Sequence, residues 1–314
     1  MGLIVEVDNL TKQYNKAKKP AVNGISFSIG EGEFFAFLGP NGAGKTTTIS
    51  ILTTTLAKTS GYVRISGYNL DTQPQQIRQN IGIIFQKASL DENLTAENNI
   101  RFHACLYNMY AYRPTFKMMP GSYKNKVMDL AEIIGIKDSL FQPVKNLSGG
   151  MKRKLEIVRS LIHTPNILFL DEPTQGLDAV SRRSLWNYIN EIRKKHGTTI
   201  FLTTHYIDEA EHVDRVCIIN DGEIAMLGSP NEMKSRFLRE ELVLDAGDQT
   251  KLENELNGLG ISYRKGKHLF VGDFTKYSTQ EIISKLDTKL TVLKITKPSL
   301  EDAYIEFLNK SRVP

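Results

Sequence analysis

Cysteine is scarce in this chain, and long hydrophobic runs are missing from it. The 314 residues include only Cys105 and Cys217, which lie far apart and lack the close spacing of metal ligands. A disulfide framework is therefore not expected, and a reducing compartment is favoured. No segment approaches the roughly 18 consecutive apolar residues of a membrane-spanning helix. The first residues do not join a basic region to an apolar core, so we expect no signal peptide.

The chain also has little excess charge of either sign. It carries 40 basic and 35 acidic side chains, which leaves a formal net charge of +5. This balance is too weak for a dedicated nucleic-acid binder, so we expect no nucleic-acid partner. A mildly basic protein does suit work beside an anionic membrane surface. The length allows two domains, and the 40% of hydrophobic residues suffice for a packed core.

A glycine-rich segment is the first feature that points to a function. Residues 39–47 fit the phosphate-binding pattern G-x-x-x-x-G-K-[ST]. The apolar run 34–38 predicts a buried strand before this loop, and a helix is predicted to begin at Lys45. Backbone amides at such a helix start bind phosphate, and Lys45 is placed to reach the β- and γ-phosphates. We expect nucleotide contacts at Asn41, Gly42, Ala43, Gly44, Lys45, Thr46 and Thr47, with Thr46 also binding Mg²⁺.

Two acids follow another buried strand. The apolar run 167–170 ends in Asp171 and Glu172, at the carboxyl end of a strand, where open α/β sheets bind their ligands. Asp171 is expected to hold Mg²⁺. Glu172 is expected to orient or deprotonate an attacking water molecule.

Two more polar residues follow strands of the same predicted sheet. His205 comes after the run 198–203 and is expected to hydrogen-bond the γ-phosphate and connect it to the water and Glu172. Gln86 follows the run 81–85 and is expected to reach the metal or the water. Taken alone, Gln86 is as easily explained by an ordinary surface position.

A second phosphate-binding signal lies far from the first. Ser148, Gly149 and Gly150 form a turn that is predicted to open a helix, where an anion can bind. One nucleotide does not need two such sites from one chain. Two copies that each lend this turn to the other's nucleotide would use both sites, which predicts an ATP-driven clamp.

The motifs, in this order over residues 3–235, resemble the nucleotide-binding subunit of an ABC (ATP-binding cassette) transporter. The Ser-Gly-Gly turn matches the family's signature motif, and Asp171 with Glu172 matches its Walker B strand end. Gln86 matches its Q-loop and His205 its switch histidine. The resemblance further implies that Asp178, in the D-loop Gly176-Leu177-Asp178, lies at the nucleotide. It also implies that Tyr14, 25 positions before Gly39, stacks on adenine, with a strand-edge tyrosine as the alternative.

The same resemblance implies how the protein works and what it binds. It implies ATP and Mg²⁺ as ligands, with Lys45, Glu172 and His205 as the catalytic residues. It implies a homodimer or heterodimer of cassettes, arranged head to tail, and a separate multi-span membrane permease. The expected location is cytoplasmic, peripheral on the inner face of the cell membrane through that permease.

The residue after the signature glycines bears on the subgroup. Met151 stands where Gln is commonest, and the following Lys-Arg-Lys-Leu-Glu resembles the ATPases of drug, antibiotic and polysaccharide exporters (the ABC-2 type). The segment from Pro298 to Tyr304 resembles the end of the same ATPases, and Ser299 with Asp302 predicts a helix cap. Export is therefore favoured. The alternatives are the energising ATPase of an importer, or a non-transport ABC ATPase acting on ribosomes or DNA.

The alternation of strands and helices predicts an α/β fold, a P-loop NTPase cassette of ABC type. It would combine a RecA-like core, an antiparallel β subdomain and a helical subdomain at about 87–165, all within residues 1–237. Residues 238–314 predict a small α+β accessory domain. Residues 107–123 are rich in aromatic residues and methionine, a composition typical of contact surfaces. Docking of a membrane subunit and ordinary local packing remain equally good explanations of that segment.

Overall fold

The computed structural model describes residues 2–86, 89–237, 241–272, 274, 276–296 and 299–311. The strands are β1 (Leu3–Lys12), β2 (Val22–Gly30), β3 (Phe34–Leu38), β4 (Ser60–Ile65), β5 (Tyr68–Asn69), β6 (Ile81–Ile84), β7 (Ile167–Asp171), β8 (Thr199–Thr204), β9 (Arg215–Asn220), β10 (Glu223–Gly228), β11 (Glu241–Ala246), β12 (Arg264–Lys265), β13 (Leu269–Val271) and β14 (Leu290–Thr296). The helices are α1 (Lys45–Leu52), α2 (Pro74–Asn80), α3 (Ala96–Leu106), α4 (Gly121–Ile134), α5 (Gly149–Leu161), α6 (Ala179–His196), α7 (Pro230–Phe237), α8 (Gln249–Gly258), α9 (Thr279–Ser284) and α10 (Leu300–Ser311). Short 3₁₀ segments lie at Phe116–Met118, Lys137–Ser139, Val144–Asn146 and Ile207–His212. In these described ranges, no helix is both long and apolar enough to cross a membrane.

The chain divides into two compact units, Met1–Gly228 and Ser229–Pro314. The division falls before α7 because this helix packs against α10 within the second unit. Our assignment of a cassette ending at residue 237 and an accessory domain beginning at 238 stays a prediction.

The first unit contains a six-stranded sheet in the order β10-β9-β3-β8-β7-β6. All neighbouring strands from β9 to β6 are parallel, and β10 is antiparallel to β9. The mainly parallel sheet is therefore confirmed. Because β3, β7, β8 and β6 run in the same direction, their carboxyl ends meet at one edge of the sheet.

An antiparallel sheet in the order β2-β1-β4-β5 accompanies the parallel one. The two sheets share one hydrophobic core, in which aromatic rings meet. The Phe27 ring of β2 lies 5.5 Å from that of Phe35 and 5.6 Å from that of Phe37, and Phe201 lies 5.3 Å from Phe169. Buried aromatic side chains of this size dominate core energetics, so this cluster fixes the base on which the site is built.

Helices α3, α4 and α5 pack against one another in the region predicted as the helical subdomain. Residues 87 and 88, at the predicted start of that subdomain, lie outside the described residues. Some residues of the segment 107–123 fit local packing, and others fit a contact surface. Tyr123 is fully buried and donates a hydrogen bond to Glu97 at 3.0 Å, which is local packing. Tyr112 and Met118 are 54% and 57% exposed, which leaves them free for contact with another molecule.

The second unit is a small α+β structure. Its antiparallel sheet has the order β12-β13-β11-β14, and buried leucines of β11, β13 and α8 form the core: Leu242, Leu244, Leu252, Leu256 and Leu269. The predicted cap of the last helix is present, since Asp302 donates its amide proton to Ser299 Oγ at 3.1 Å. Pro298, which belonged to the same sequence argument, lies outside the described residues.

Candidate nucleotide site

The glycine loop joins a buried strand to a helix, as the sequence predicted. All five residues of β3 are buried, and α1 begins at Lys45 with Gly44 as its N-cap. Gly44 has φ +107°, and a Cβ atom built on it would lie 2.5 Å from the carbonyl oxygen of Ala21. Only glycine fits there, because a side chain would meet both the backbone strain and that oxygen. The loop therefore presents bare backbone at the start of α1.

The Lys45 side chain lies inside this loop and is 4% exposed. Its ammonium donates to the carbonyl oxygens of Gly39 at 2.7 Å and Pro40 at 3.1 Å. It also lies 3.6 Å from Glu172 Oε1. Burial lowers the pKa of Lys45, and the negative charge of Glu172 partly opposes that shift.

Thr46 and Thr47 follow Lys45 on the first turn of α1. Thr46 is exposed at the start of the helix, while Thr47 lies 3.3 Å from the hydroxyl of Tyr14. Tyr14 is 43% exposed, and the Lys12 ammonium lies 5.3 Å from the centroid of its ring. The structure thus brings Tyr14 to the loop across 33 positions of sequence.

Asp171 and Glu172 stand at the carboxyl end of β7, beside the loop. Thr203 Oγ1 on the neighbouring strand β8 donates to Asp171 Oδ1 at 2.5 Å. Asp171 is 4% exposed, and burial raises the pKa of its carboxyl group, while the hydrogen bond from Thr203 acts in the opposite direction. The amide of Glu172 donates to the carbonyl oxygen of Thr203 at 3.0 Å.

Three predicted site residues converge on the Glu172 carboxylate. Lys45 Nζ lies 3.6 Å away, Gln86 Nε2 donates to it at 3.4 Å, and His205 Nδ1 lies 3.2 Å from Oε1 without the alignment of a hydrogen bond. Glu172 itself adopts φ +44°, a left-handed conformation that is unusual for this residue type. Groups from three separate segments of the chain therefore meet at the carboxylate of a fourth.

The oxygen atoms at this edge suit a small divalent cation. Asp171 supplies a carboxylate and Thr46 a hydroxyl, which are ligands of the hard type that Mg²⁺ takes. Gln86 uses its Nε2 to donate to Gln175 Oε1 at 2.7 Å and to Glu172, so its remaining amide atom, Oε1, is an acceptor. The donor set of Asp171, Thr46 and Gln86 fits the cation predicted from the sequence.

The signature turn is exposed and separate from this cluster. Ser148 Oγ caps α5 by accepting from the amide of Met151 at 3.3 Å, and both Ser148 and Gly149 are exposed. Among the described residues, no hydrogen bond or ion pair joins this turn to Lys45, Glu172 or His205. Asp178 caps α6 through Ser181, which lies beside Gly150 of the turn. The structure of one chain therefore leaves Ser148, Gly149, Gly150 and Asp178 outside the cluster at Glu172.

Two residues that support the site were missed at the level of sequence. Arg153 on α5 donates to the carbonyl oxygens of Pro173 at 2.9 Å and Phe85 at 2.5 Å, next to Glu172 and Gln86. Glu209 accepts hydrogen bonds from two threonine side chains beside the site. The only sequence signal was position, because each lies a few residues after a recognised motif.

The fold and the site together define a P-loop nucleoside triphosphatase. Comparison with known proteins makes this more specific. A sequence model of the ABC transporter family matches residues 22–175. The probable multidrug ABC transporter ATP-binding protein YbhF of Escherichia coli K12 is 35% identical over 238 residues, which are 76% of this chain and 39% of YbhF. The daunorubicin/doxorubicin resistance ATP-binding protein DrrA of Streptomyces peucetius is 35% identical over 266 residues, 83% of this chain and 77% of DrrA.

A solved structure agrees with these relatives. The dimeric ATP-binding cassette MJ0796, in a post-hydrolysis state with ADP and Pi, aligns with a TM-score of 0.62 and 27% identity, over 72% of this chain and 98% of that one. The chain belongs to the ABC transporter family, as an ATP-binding cassette. The resemblance inferred from the motifs is thereby confirmed. This chain spans 39% of the length of YbhF.

Proposed function

We propose that this chain is the ATP-hydrolysing subunit of an ABC exporter and drives transport through a separate membrane permease. The observation that carries the proposal is the convergence of Lys45, Gln86 and His205 on Glu172 at one edge of the sheet. A basic group for phosphate and a carboxylate that positions water are recurring parts of phosphoryl-transfer sites, and His205 adds a polar group beside that carboxylate.

Nucleotide binding is assigned to the loop and its neighbours. The amides of residues 41–47 and the Lys45 ammonium bind the β- and γ-phosphates, and the exposed ring of Tyr14 stacks on adenine. Asp171, Thr46 and Gln86 would hold Mg²⁺, which would neutralise negative charge on the phosphates.

Hydrolysis is assigned to Glu172 and His205. The Glu172 carboxylate orients the attacking water and takes its proton, and His205 hydrogen-bonds the γ-phosphate. The short distance between the two side chains, 3.2 Å, supports a shared role. Gln86 donates to the same carboxylate, so movement of the Q-loop changes the position of the base.

Pairing of two cassettes is supported by the separation of the signature turn from the cluster at Glu172. Ser148 and Gly149 are exposed at the start of α5, where free backbone amides bind an anion. A second cassette, identical or related, places the γ-phosphate of its bound nucleotide against this turn. Asp178 lies at the same contact between the two cassettes. Each chain then completes the site of the other.

Export through a permease is supported by relatives and by an exposed surface. DrrA is named a daunorubicin/doxorubicin resistance ATP-binding protein and YbhF a probable multidrug ABC transporter ATP-binding protein, which favours export over import. The helical region exposes Leu106 at 80%, Met118 at 57% and Phe141 at 57%, so these apolar side chains are accessible to a partner. A multi-span permease that docks there holds the cassette at the cytoplasmic face of the membrane.

The first test is hydrolysis of Mg-ATP by the purified chain, with Lys45→Ala as the inactive control. The second is detergent purification of tagged Glu172→Gln protein with ATP and Mg²⁺. We expect one multi-span membrane protein in stoichiometric amount. Recovery of ribosomes, DNA or soluble proteins alone would instead establish a non-transport ABC ATPase, and a solute-binding protein alongside the permease would establish an importer.

A further inference from the structure

Glu209 is a buried carboxylate that the assignments above do not use. It lies in the 3₁₀ segment Ile207–His212, which begins two residues after His205, and is 8% exposed. Burial raises the pKa of its carboxyl group, while hydrogen bonds from two threonines act in the opposite direction. A buried carboxylate is costly to keep unless its oxygens are satisfied, so its partners are informative.

One oxygen of Glu209 holds the backbone around His205. Thr204 Oγ1 donates to Glu209 Oε2 at 2.6 Å, and the same hydroxyl accepts from the amide of Tyr206 at 2.9 Å. Thr204 and Tyr206 are the residues on either side of His205. This arm of Glu209 therefore fixes the turn from which the His205 ring projects.

The other oxygen of Glu209 holds the turn after Glu172. Thr174 Oγ1 donates to Glu209 Oε1, and the carbonyl oxygen of Thr174 accepts from the amide of Leu177 at 3.1 Å. Thr174 is fully buried and lies two positions after Glu172. This arm therefore fixes the path of the chain just after the catalytic carboxylate.

Glu172 needs such support because its own backbone is strained. A non-glycine residue at φ +44° is strained and persists only where the surrounding structure holds it in place. Its amide is held by Thr203 on one side, and the Thr174 hydroxyl is held by Glu209 on the other. One carboxylate thus ties together the two segments whose side chains lie 3.2 Å apart at the site.

We propose that Glu209 is a positioning residue that sets the separation between Glu172 and His205. This proposal rests on the proposed ATP hydrolysis. Glu209 is bonded to neither Lys45 nor the loop in the described part of the chain, so its loss leaves nucleotide binding in place and misplaces the groups that act on water. A misplacement on the order of 1 Å at such groups costs about 100-fold in rate.

The test compares Glu209→Ala with Asp208→Ala, a matched control on the exposed neighbour in the same segment. We expect Glu209→Ala to lower kcat for ATP about 10- to 100-fold with KM for ATP changed less than threefold, and Asp208→Ala to match wild type. Glu209→Gln keeps shape, and its amide can accept from one threonine and donate to the other, so it should stay within about fivefold of wild type. All rates are normalised to the fraction of protein that binds ATP, so a partly unfolded sample does not lower kcat.

Two further measurements separate positioning from general stability. If Glu209 acts through His205, Glu209→Ala should lower kcat far less in a His205→Ala background than in wild type. Hydrogen exchange should rise in peptides covering 171–177 and 203–206 in Glu209→Ala, and not in Asp208→Ala. If Glu209→Ala does not fold, Thr204→Val and Thr174→Val each remove one arm and should each lower kcat.

Several results would overturn the proposal. These are unchanged kcat in Glu209→Ala or in both threonine variants, a KM increase that accounts for the whole loss, or additive effects with His205→Ala. The exchange measurement does not depend on turnover. A wild-type protein that lacks ATPase activity would refute the proposed function. Equal hydrogen exchange in Glu209→Ala and wild type would refute the positioning role of Glu209.

Discussion

Replacement of Glu172 by Gln tests the assignment of the catalytic base most directly. The substitution keeps the size of the side chain, so Gln86 Nε2, now 3.4 Å from the carboxylate, can still donate to the amide oxygen. It removes the negative charge and the ability to accept a proton from water. A positioned general base contributes roughly 10²- to 10⁴-fold to such a reaction, and we expect turnover to fall by that factor. This corresponds to about 3–5 kcal/mol of transition-state stabilisation.

ATP binding should survive the same substitution. The phosphate contacts come from Lys45 and the loop amides, and neither depends on the charge of Glu172. The dissociation constant for ATP should therefore stay within about threefold of wild type or decrease, because the variant presents no carboxylate charge to the γ-phosphate. ATP that binds without being hydrolysed should hold two cassettes together.

The assays are phosphate release, equilibrium binding of ATP, and light scattering with ATP and Mg²⁺. Glu191→Gln makes the same chemical change at an exposed position of α6 and should behave as wild type. Turnover of Glu172→Gln within threefold of wild type would remove Glu172 from the assigned role. Loss of ATP binding would show instead that the carboxylate maintains the loop through Lys45.

Three other changes test the glycine loop, Tyr14 and His103 of α3. Gly44→Ala should abolish ATP binding, measured at equilibrium, because its Cβ would lie 2.5 Å from the carbonyl oxygen of Ala21. Gly121→Ala, whose Cβ would have open space around it, should bind ATP normally. Tyr14→Ala should weaken ATP binding about 5- to 150-fold, since stacking on one base is worth about 1–3 kcal/mol, and Tyr14→Phe should bind like wild type. Equal affinities of Tyr14→Ala and wild type would refute stacking. Burial, with nearby Arg159, lowers the pKa of His103 to about 3. His103 stays neutral in the folded protein, whereas the unfolded chain binds a proton at this side chain below about pH 6.5. The free energy of unfolding is therefore unaffected by His103 above pH 6.5 and falls as pH drops from 6.5 towards 3. In His103→Gln, the fall in the free energy of unfolding between pH 7 and pH 5, measured by urea denaturation, should be smaller by about 2 kcal/mol than in wild type. An equal fall in both proteins would refute this.

The phosphate-binding half of the site was predictable because its signals are local. An apolar run of strand length followed by glycines and Lys45 has few other structural solutions, and the structure has β3, the loop and α1 in that order. Residues that end neighbouring parallel strands meet at one edge by topology alone. That rule alone predicts that Asp171, Glu172 and His205 lie close together.

Some secondary structure was missed although its signal was present. The sequence interpretation assigned no strand to residues 223–228, where β10 forms a hairpin with β9. Asp221 and Gly222 lie at φ +47° and +82°, the two positive values that a tight hairpin turn requires. An Asp-Gly pair between apolar runs is a strong hairpin signal, so this strand could have been predicted.

Other features had no local signal. The bond between Thr174 and Glu209 spans 35 positions, and the bond between Arg153 and Phe85 spans 68. Such contacts depend on how elements pack, which no hydrophobic period or turn motif encodes. The left-handed φ of Glu172 also had no signal, because the sequence there shows an ordinary strand end followed by proline.

The separation of the signature turn from the Glu172 cluster has a mechanical consequence within one chain. Helix α5 begins at the exposed turn of Ser148 and, one turn later, carries Arg153, which donates to the carbonyl oxygens of Pro173 and Phe85. These are the backbone groups next to Glu172 and Gln86. A displacement of α5 by an anion at its exposed start would therefore reach the base and the Q-loop glutamine through one buried guanidinium. Because the anion in the proposed dimer belongs to the nucleotide of the other cassette, we expect each chain to respond to its partner's ATP at its own site of hydrolysis.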